Sequence, residues 1–270
     1  MRNHLKNALY ACGTAGLPRS VSIADRRWSL VRTFKHDFFA ATGLYQAAQH
    51  QGDAPERMVL KIGRIQSFLG FPLAWLGRFL KRREVRLLQY LESLEQVPRL
   101  VGEYGRNGFA YRYIEGRSLD EKPDVPDCFF DDLEQLLQAI HQLDVCYLDF
   151  NKRGNILVGT DKRPHLIDFQ ISVRLGGRWC RPLRNMLQRE DRYHLLKHKR
   201  RLRPDLMTEA ERQHAQQRSA AIRIHRFVTV PLRTARRRLL RRLHRKGLLE
   251  RDDSFDPTPE NDPSRFESQP

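Results

Sequence analysis

The stretch from Ala139 to Gln170 constrains the fold of this chain more than any other part of its sequence. An amphipathic helical pattern ends near Leu143. Farther along, two short apolar runs flank a turn-like segment, Gly159-Thr160-Asp161-Lys162; these runs are Ile156–Val158 and His165–Ile167. Short apolar runs on either side of such a turn are typical of a β-hairpin. The stretch therefore predicts a helix, a loop and a hairpin in succession.

Three polar residues surround the predicted hairpin. Asp149 and Asn155 lie in the loop before it, and Asp168 follows its second strand. Phosphoryl transfer from a magnesium–nucleotide complex uses a similar set, in which one carboxylate orients the attacking hydroxyl while an amide and a second carboxylate hold the metal. Asp149, Asn155 and Asp168 are therefore candidates for such a set.

This stretch resembles the catalytic loop and metal-binding strand of the protein-kinase-like superfamily, H-R-D-L-x-x-x-N followed by D-F-G. Asp149, Asn155 and Asp168 match the catalytic acid, the amide and the metal-binding carboxylate of that pattern. The resemblance is closer to bacterial atypical kinases such as the lipopolysaccharide-core sugar (heptose/Kdo) kinases. It implies ATP and Mg²⁺ as cofactors, with Mn²⁺ as an alternative metal.

The match departs from the pattern at several positions. Tyr147 and Leu148 stand where His and Arg are usual, Gln170 replaces the Gly, and the spacing from Asp to Asn is longer than usual. Within the lengthened loop, a base could neutralise the transferring phosphoryl group. Lys152 is our candidate for this catalytic role, and Arg153 is the competing one.

The resemblance also suggests where the nucleotide binds. The apolar run Arg57–Ile62 predicts a strand similar to the V-A-I-K strand of kinases, with Lys61 on the phosphates. A helix predicted over Lys81–Gln96 supplies Glu84 as the partner of Lys61, with Glu92 as the competing candidate.

The resemblance to kinases suggests two further nucleotide-binding candidates. The segment Lys35–Thr42 lies between strands predicted at Trp28–Phe34 and Gly43–Ala48, where a kinase places its phosphate-covering loop. It is not rich in glycine, and Lys35 is its candidate for contacting phosphate. Glu115 begins a segment that resembles the hinge between kinase lobes, where backbone groups meet adenine.

The predicted fold is α+β and bilobal, with a small antiparallel-sheet N-lobe and a mostly helical C-lobe. We expect a loosely ordered leader at 1–27, the N-lobe at 28–114, the C-lobe with the catalytic loop at 115–205, a basic helical extension at 206–250 and a disordered tail at 251–270. The C-terminal helices are predicted at Arg181–Arg201, Thr208–Phe227 and Pro231–Leu249. The apolar segment Phe68–Leu80 is either a packed helix or a patch that touches a membrane or a partner.

The charge of the chain is concentrated in one region. Residues 174–250 contain 23 Lys and Arg against 6 Asp and Glu, a balance equal to the net charge of +17 of the whole chain. This region suits an anionic sugar or lipid acceptor. Its last helix could pack its leucines on the lobe and leave its basic face in solvent, lie on an anionic membrane, or bind nucleic acid through phosphate contacts. A protein acceptor is the other candidate partner, and nucleic acid is an unlikely one. Scattered cysteines and the absence of a long apolar run favour a cytoplasmic protein, and the basic last helix would allow contact with the inner membrane face.

These observations predict an ATP-dependent kinase that phosphorylates an alcohol group, either on a lipopolysaccharide-type sugar or on a protein Ser/Thr. The alternative is a pseudokinase, which would keep the fold and act as a nucleotide-binding or scaffold protein at the membrane surface. The altered D-F-G motif and the missing glycine-rich loop favour this alternative, whereas the intact set of Lys, Asp, Asn and Asp opposes it.

Overall fold

A computed structural model describes residues 7–48, 55–68 and 71–216 of the chain. Its first lobe is a six-stranded antiparallel sheet with strand order β1-β2-β3-β4-β6-β5. The strands are β1 (Ser20–Ile23), β2 (Arg26–His36), β3 (Ala40–Ala47), β4 (Arg57–Gly63), β5 (Leu100–Tyr104) and β6 (Gly108–Arg112). Strand β4 lies inside the sheet between β3 and β6, and Met58 to Ile62 are all buried. The apolar sequence of β4 therefore places Lys61 in the interior of the lobe.

The expectation of a loosely ordered leader is wrong for its described part. Strand β1 pairs with β2, and Ala11, Val21 and Ile23 are buried in the apolar cluster beneath the sheet. The Trp28 indole donates a hydrogen bond to the Ile23 carbonyl at 3.1 Å, and the Tyr45 hydroxyl donates one to a carbonyl before β1 at 2.6 Å. Residues 7–27 are therefore part of the first lobe.

Helix α1 (Ala74–Tyr90) begins earlier and ends earlier than the predicted helix over Lys81–Gln96. Its N-terminal turn packs so closely on the end of β4 that a Cβ atom at Gly77 would overlap the backbone of Arg64. Glycine permits this approach. Helix α1 includes residues 74–80, so the packed-helix alternative for the segment Phe68–Leu80 holds for that part, although Trp75 and Phe79 are exposed.

The second lobe is mostly helical. Helices α2 (Phe129–Gln142), α3 (Arg181–Leu202) and α4 (Glu209–Gln216) accompany five short strands, β7 (Gly116–Ser118), β8 (Val145–Cys146), β9 (Ile156–Gly159), β10 (Pro164–Leu166) and β11 (Val173–Arg174). Strands β7, β9 and β10 form one small sheet, and β8 pairs with β11. One apolar cluster includes residues of α1, β6, α2 and the β9–β10 hairpin, so it extends across both lobes, whereas the cluster beneath the sheet belongs to the first lobe.

The chain after α3 follows the predicted pattern as far as the structure describes it. The Thr208 hydroxyl accepts from the Glu211 amide at 3.3 Å, and the Glu211 carboxylate accepts from the Thr208 amide at 2.7 Å. This reciprocal capping starts α4. The predicted arginine-rich helix Pro231–Leu249 and the tail at 251–270 lie outside the described residues. None of the described helices has the length and apolarity needed to cross a bilayer.

Candidate active site

The β9–β10 hairpin holds the centre of the site, and its presence confirms the sequence prediction. Val158 pairs with Pro164, and the amide of Ile167 donates to the carbonyl of Asn155 at 3.0 Å. Asp168 follows with φ of 61°, a left-handed backbone conformation that is rare for residues other than glycine. This turn directs the chain out of the hairpin at the position of the second acid.

Asp149 accepts two hydrogen bonds on one carboxylate oxygen. Asn155 Nδ2 lies 2.8 Å and Lys152 Nζ 2.7 Å from Asp149 Oδ2. Arg153, the competing base, instead pairs with Asp120 at 3.2 Å. The side chain of Lys152 is 60% exposed, so its charge lies at the surface of the site and not within the core.

Lys61 connects the two lobes through two carboxylates. Its Nζ lies 2.9 Å from Glu84 Oε1 in helix α1 and 2.7 Å from Asp168 Oδ1 beyond the hairpin. Glu92, the other candidate partner, lies beyond the end of α1 and is exposed. Burial alone would lower the pKa of Lys61, but the two carboxylates raise it above its ordinary value, so the amine stays protonated.

The two aspartates have opposite electrostatic environments. Burial raises the pKa of the Asp149 carboxyl above its ordinary value, although Lys152 lowers it in part. Burial would also raise the pKa of Asp168, but the Lys61 ammonium outweighs this effect and holds the pKa below its ordinary value. Asp168 is therefore suited to remain a charged ligand, and Asp149 is the better proton acceptor.

Tyr147, which stands at the usual histidine position, joins the catalytic loop to the hairpin. Its hydroxyl donates to the carbonyl of Ile167, next to Asp168. Its ring packs edge-on against Phe150 and Phe169, with centroid separations of 5.5 and 5.0 Å. A phenol thus supplies the packing and the hydrogen bond that stabilise this loop.

Sequence analysis missed Asp191, which anchors the catalytic loop from helix α3. Its carboxylate is buried and accepts from the backbone amides of Tyr147 and Leu148, each at 2.8 Å. The imidazole of His141 lies 3.2 Å away. A signal was present in the sequence, because Asp191 lies four residues before Leu195 on the buried face of an otherwise basic helix.

The structure places the remaining two candidates at the edge of the site. Lys35 lies at the end of β2 and pairs with Asp37 at 2.8 Å, and its charge contributes to the lowered pKa of Asp168. The exposed side chain of Glu115 pairs with Arg57 at 3.3 Å. Its carbonyl accepts from the Thr160 amide at 3.2 Å. The proposed roles of both residues in nucleotide binding stay predictions.

The donor set around the hairpin fits a magnesium ion. Asn155 uses its amide nitrogen toward Asp149, which leaves its amide oxygen for a cation, and Asp168 adds a carboxylate. Mg²⁺ commonly takes one or two protein oxygens and completes its shell with water and substrate phosphates. In the described part of the chain, no group of three or more His, Cys, Asp or Glu gathers as a metal site. One amide oxygen and one carboxylate suit a metal that takes its remaining ligands from water and substrate phosphates.

Comparison with solved structures identifies the architecture. The chain resembles the Rio2 kinase from Chaetomium thermophilum, solved as an ADP/Mg²⁺-phosphoaspartate complex, with a TM-score of 0.53 and 18% sequence identity. The likeness covers 70% of this chain and 58% of that one. The chain has a protein-kinase-like fold.

A second structure of the Chaetomium thermophilum Rio2 kinase gives a similar result, with a TM-score of 0.50, 18% identity, and coverage of 67% of this chain and 58% of that one. No family model and no curated protein matches the sequence. The likeness therefore lies in the fold, and the chain spans a little more than half of the length of these structural neighbours.

Proposed function

We propose that this chain is an atypical kinase that transfers the γ-phosphoryl group of ATP to an alcohol group. The observation that supports this most directly is the convergence of Lys61, Asp149, Asn155 and Asp168 at the junction of the two lobes. These residues lie on separate elements, and each is held by hydrogen bonds or an ion pair in an arrangement suited to phosphoryl transfer.

Each residue has a distinct role in the proposed reaction. Lys61, held by Glu84, binds the nucleotide phosphates. Asp149 orients the acceptor hydroxyl and takes its proton, and its raised pKa suits this step. Lys152 neutralises charge on the transferring group. Mg²⁺ held by Asn155 and Asp168 would offset the negative charge of the phosphates when bound.

For the acceptor, we propose a lipopolysaccharide-core sugar of the heptose or Kdo type, with a protein Ser/Thr as the alternative. The net charge of +17 within residues 174–250 supports an anionic acceptor, since such a region attracts negatively charged substrates. This acceptor places the protein in the cytoplasm, peripheral to the inner membrane face.

A pseudokinase that binds nucleotide without turnover is the second candidate function. It is favoured by Gln170, which occupies the usual glycine position and lines a small cavity behind Lys61 and Glu84. The tight turn between β2 and β3, in place of a glycine-rich loop, also favours it.

The first test is Mg²⁺-dependent ATP binding and hydrolysis by the full chain, beside Asp168→Ala and Asp149→Ala. We expect Asp168→Ala to lose metal-dependent binding because it removes a metal ligand. Asp149→Ala should keep binding and lose turnover by about 10²-fold or more, since it removes the proton acceptor. Binding without turnover in the native chain would assign it as a pseudokinase, and no nucleotide binding with Mg²⁺ or Mn²⁺ would overturn both functions.

The acceptor is tested separately by incubating the active chain with labelled ATP and either lipopolysaccharide-core saccharide or a mixture of Ser/Thr peptides. Label in the saccharide, sensitive to Asp149→Ala, supports the sugar acceptor. Label in the peptides alone would contradict it.

A further inference from the structure

Helix α1 exposes a continuous aromatic and basic face that the proposed reaction does not use. We call it the α1 outer face and define it by Phe71, Trp75, Phe79, Arg82, Arg86 and Arg174. The first five residues are spaced three or four apart, so they lie along one side of the helix and the turn before it. The three aromatic side chains are 68%, 57% and 55% exposed, in chain order. Large apolar residues adjacent at such exposure mark an interaction surface.

The basic half of this face borders a groove between α1 and β11. The groove encloses about 550 Å³ and is lined by four arginines without a carboxylate: Arg82, Arg83, Arg86 and Arg174. Neither Arg82 nor Arg86 forms an ion pair with any residue of the described ranges. Four guanidinium groups that line one groove create a positive potential, which a bound anion would offset.

Two of these arginines are already fixed in orientation. The Arg174 guanidinium lies 4.0 Å over the ring of Tyr90. Arg83 donates to the carbonyl of Ser172 at 2.9 Å, and its buried Nε has no hydrogen-bond partner within the part of the chain that the structure describes. Guanidinium groups match the oxygens of a phosphate by paired donors. The groove is therefore built to receive a phosphate group.

We propose that the α1 outer face binds the surface of an anionic phospholipid membrane. Phe71, before the helix, and Trp75 and Phe79 within it are all more than half exposed, which suits insertion among lipid headgroups. The arginines lie beyond them on the same face, where they contact lipid phosphates. The residues of this surface differ from those of the basic region after residue 216, and the proposal does not depend on phosphoryl transfer.

Fluorescence provides a direct test. Trp28 is buried, so in the full chain with Trp179→Phe the only exposed indole of the described residues is Trp75. Vesicles of phosphatidylcholine and phosphatidylglycerol should shift its emission to shorter wavelength, and brominated acyl chains should quench it. Phosphatidylcholine vesicles alone should have a weaker effect because they lack net charge. Unchanged Trp75 emission during vesicle binding would overturn the proposal, since it would show that another region makes the contact.

Charge variants provide the second test. Arg82→Gln with Arg86→Gln should lower the vesicle partition constant by about 10- to 30-fold at low salt. The matched control is Arg19→Gln with Arg27→Gln, two exposed arginines beside β1 and β2, which should change it much less. An equal loss in both double variants would indicate nonspecific attraction and contradict the proposal.

Soluble anions distinguish the membrane from other occupants. Pyrophosphate and polyglutamate are offered to the same proteins in place of vesicles. If polyglutamate binds with Arg82- and Arg86-dependent affinity while vesicles do not bind, the face belongs to an acidic protein partner. If only pyrophosphate binds, the groove takes a soluble phosphate compound. Either result would overturn the membrane assignment.

Discussion

Asp149 experiences two opposing influences on its charge. Its burial favours the protonated carboxyl, whereas Lys152, 2.7 Å from Oδ2, favours the carboxylate. A proton acceptor functions only when it is deprotonated, so activity falls as the pH falls through its pKa. In a plot of activity against pH, the position of the acidic limb therefore reports how burial and Lys152 together set the pKa of Asp149.

Substituting Lys152→Ala should move the acidic limb of the kcat/KM profile to higher pH. Removing a cation that lowers the pKa of Asp149 lets burial raise that pKa further, so activity is lost at a higher pH than in the native chain. Lys152→Arg keeps the positive charge and should leave the limb near its native position. A limb that stays in place in Lys152→Ala would show that Asp149 does not determine it.

At the scale of elements, helix α3 fixes the backbone just before Asp149. The Asp191 carboxylate accepts hydrogen bonds from the backbone amides of Tyr147 and Leu148. Leu148 has a left-handed backbone conformation, with φ of 67°. A backbone conformation that is unfavourable for leucine persists when its surroundings hold it. Asp191 is therefore a positioning residue, because it acts through the loop and does not contact the reacting groups.

Asp191→Ala should reduce the free energy of unfolding by about 2–4 kcal/mol, because it leaves two buried amides without an acceptor. It should also lower kcat more than it changes KM for ATP, since Lys61 and Asp168 remain in place. Asp191→Asn keeps one acceptor oxygen and should recover part of both losses. The control is Arg189→Ala, an exposed change on the same helix. Chemical denaturation and steady-state kinetics measure these effects, and a native kcat in Asp191→Ala would contradict the positioning role.

How far the sequence predicts the elements depends on where their stabilising contacts lie. The β9–β10 hairpin and α2 depend on local turn chemistry and on apolar spacing, and both were predictable. The start of α1 depends on the contact of Gly77 with Arg64, and the order of residues 7–27 depends on pairing with β2. Those contacts are between segments distant in sequence, which a local pattern does not record.

The same distinction applies to the site. Asp149, Asn155 and Asp168 were predictable because one short motif contains all three. The choice of Glu84 over Glu92 required the geometry of α1 against β4, since either residue has acceptable spacing. The spacing of Asp191 and Leu195 could have indicated a buried acid, but its partners are backbone amides, which no residue type identifies.

At the scale of the whole molecule, the two lobes share one apolar core. Val85 of α1 and Phe109 of β6 belong to the same buried cluster as Phe129 and Ile140 of α2. Lys61 adds a polar connection, because it pairs with carboxylates from both sides. Lobes joined in this way are expected to unfold together.

Calorimetry should accordingly show one unfolding transition for both lobes. Mg²⁺ with ATP at about 100 times its dissociation constant should raise the midpoint, adding about 2.7 kcal/mol of stability by mass action. The Asp168→Ala protein should keep a single transition and lose the magnesium-dependent shift. Two separate transitions in the native chain would contradict the shared core.

The turn between β2 and β3 has a thermodynamic consequence for nucleotide binding. Asp37 Oδ1 accepts the amides of Phe39 and Ala40 at 2.8 and 3.0 Å, and the Arg64 guanidinium lies 3.9 Å over the ring of Phe38. A glycine-rich loop loses conformational entropy when it closes over phosphates, whereas this turn is ordered beforehand. We therefore expect nucleotide to bind with a small unfavourable entropy of loop ordering. Because the turn is already ordered, it can adjust less to nucleotides of different shape.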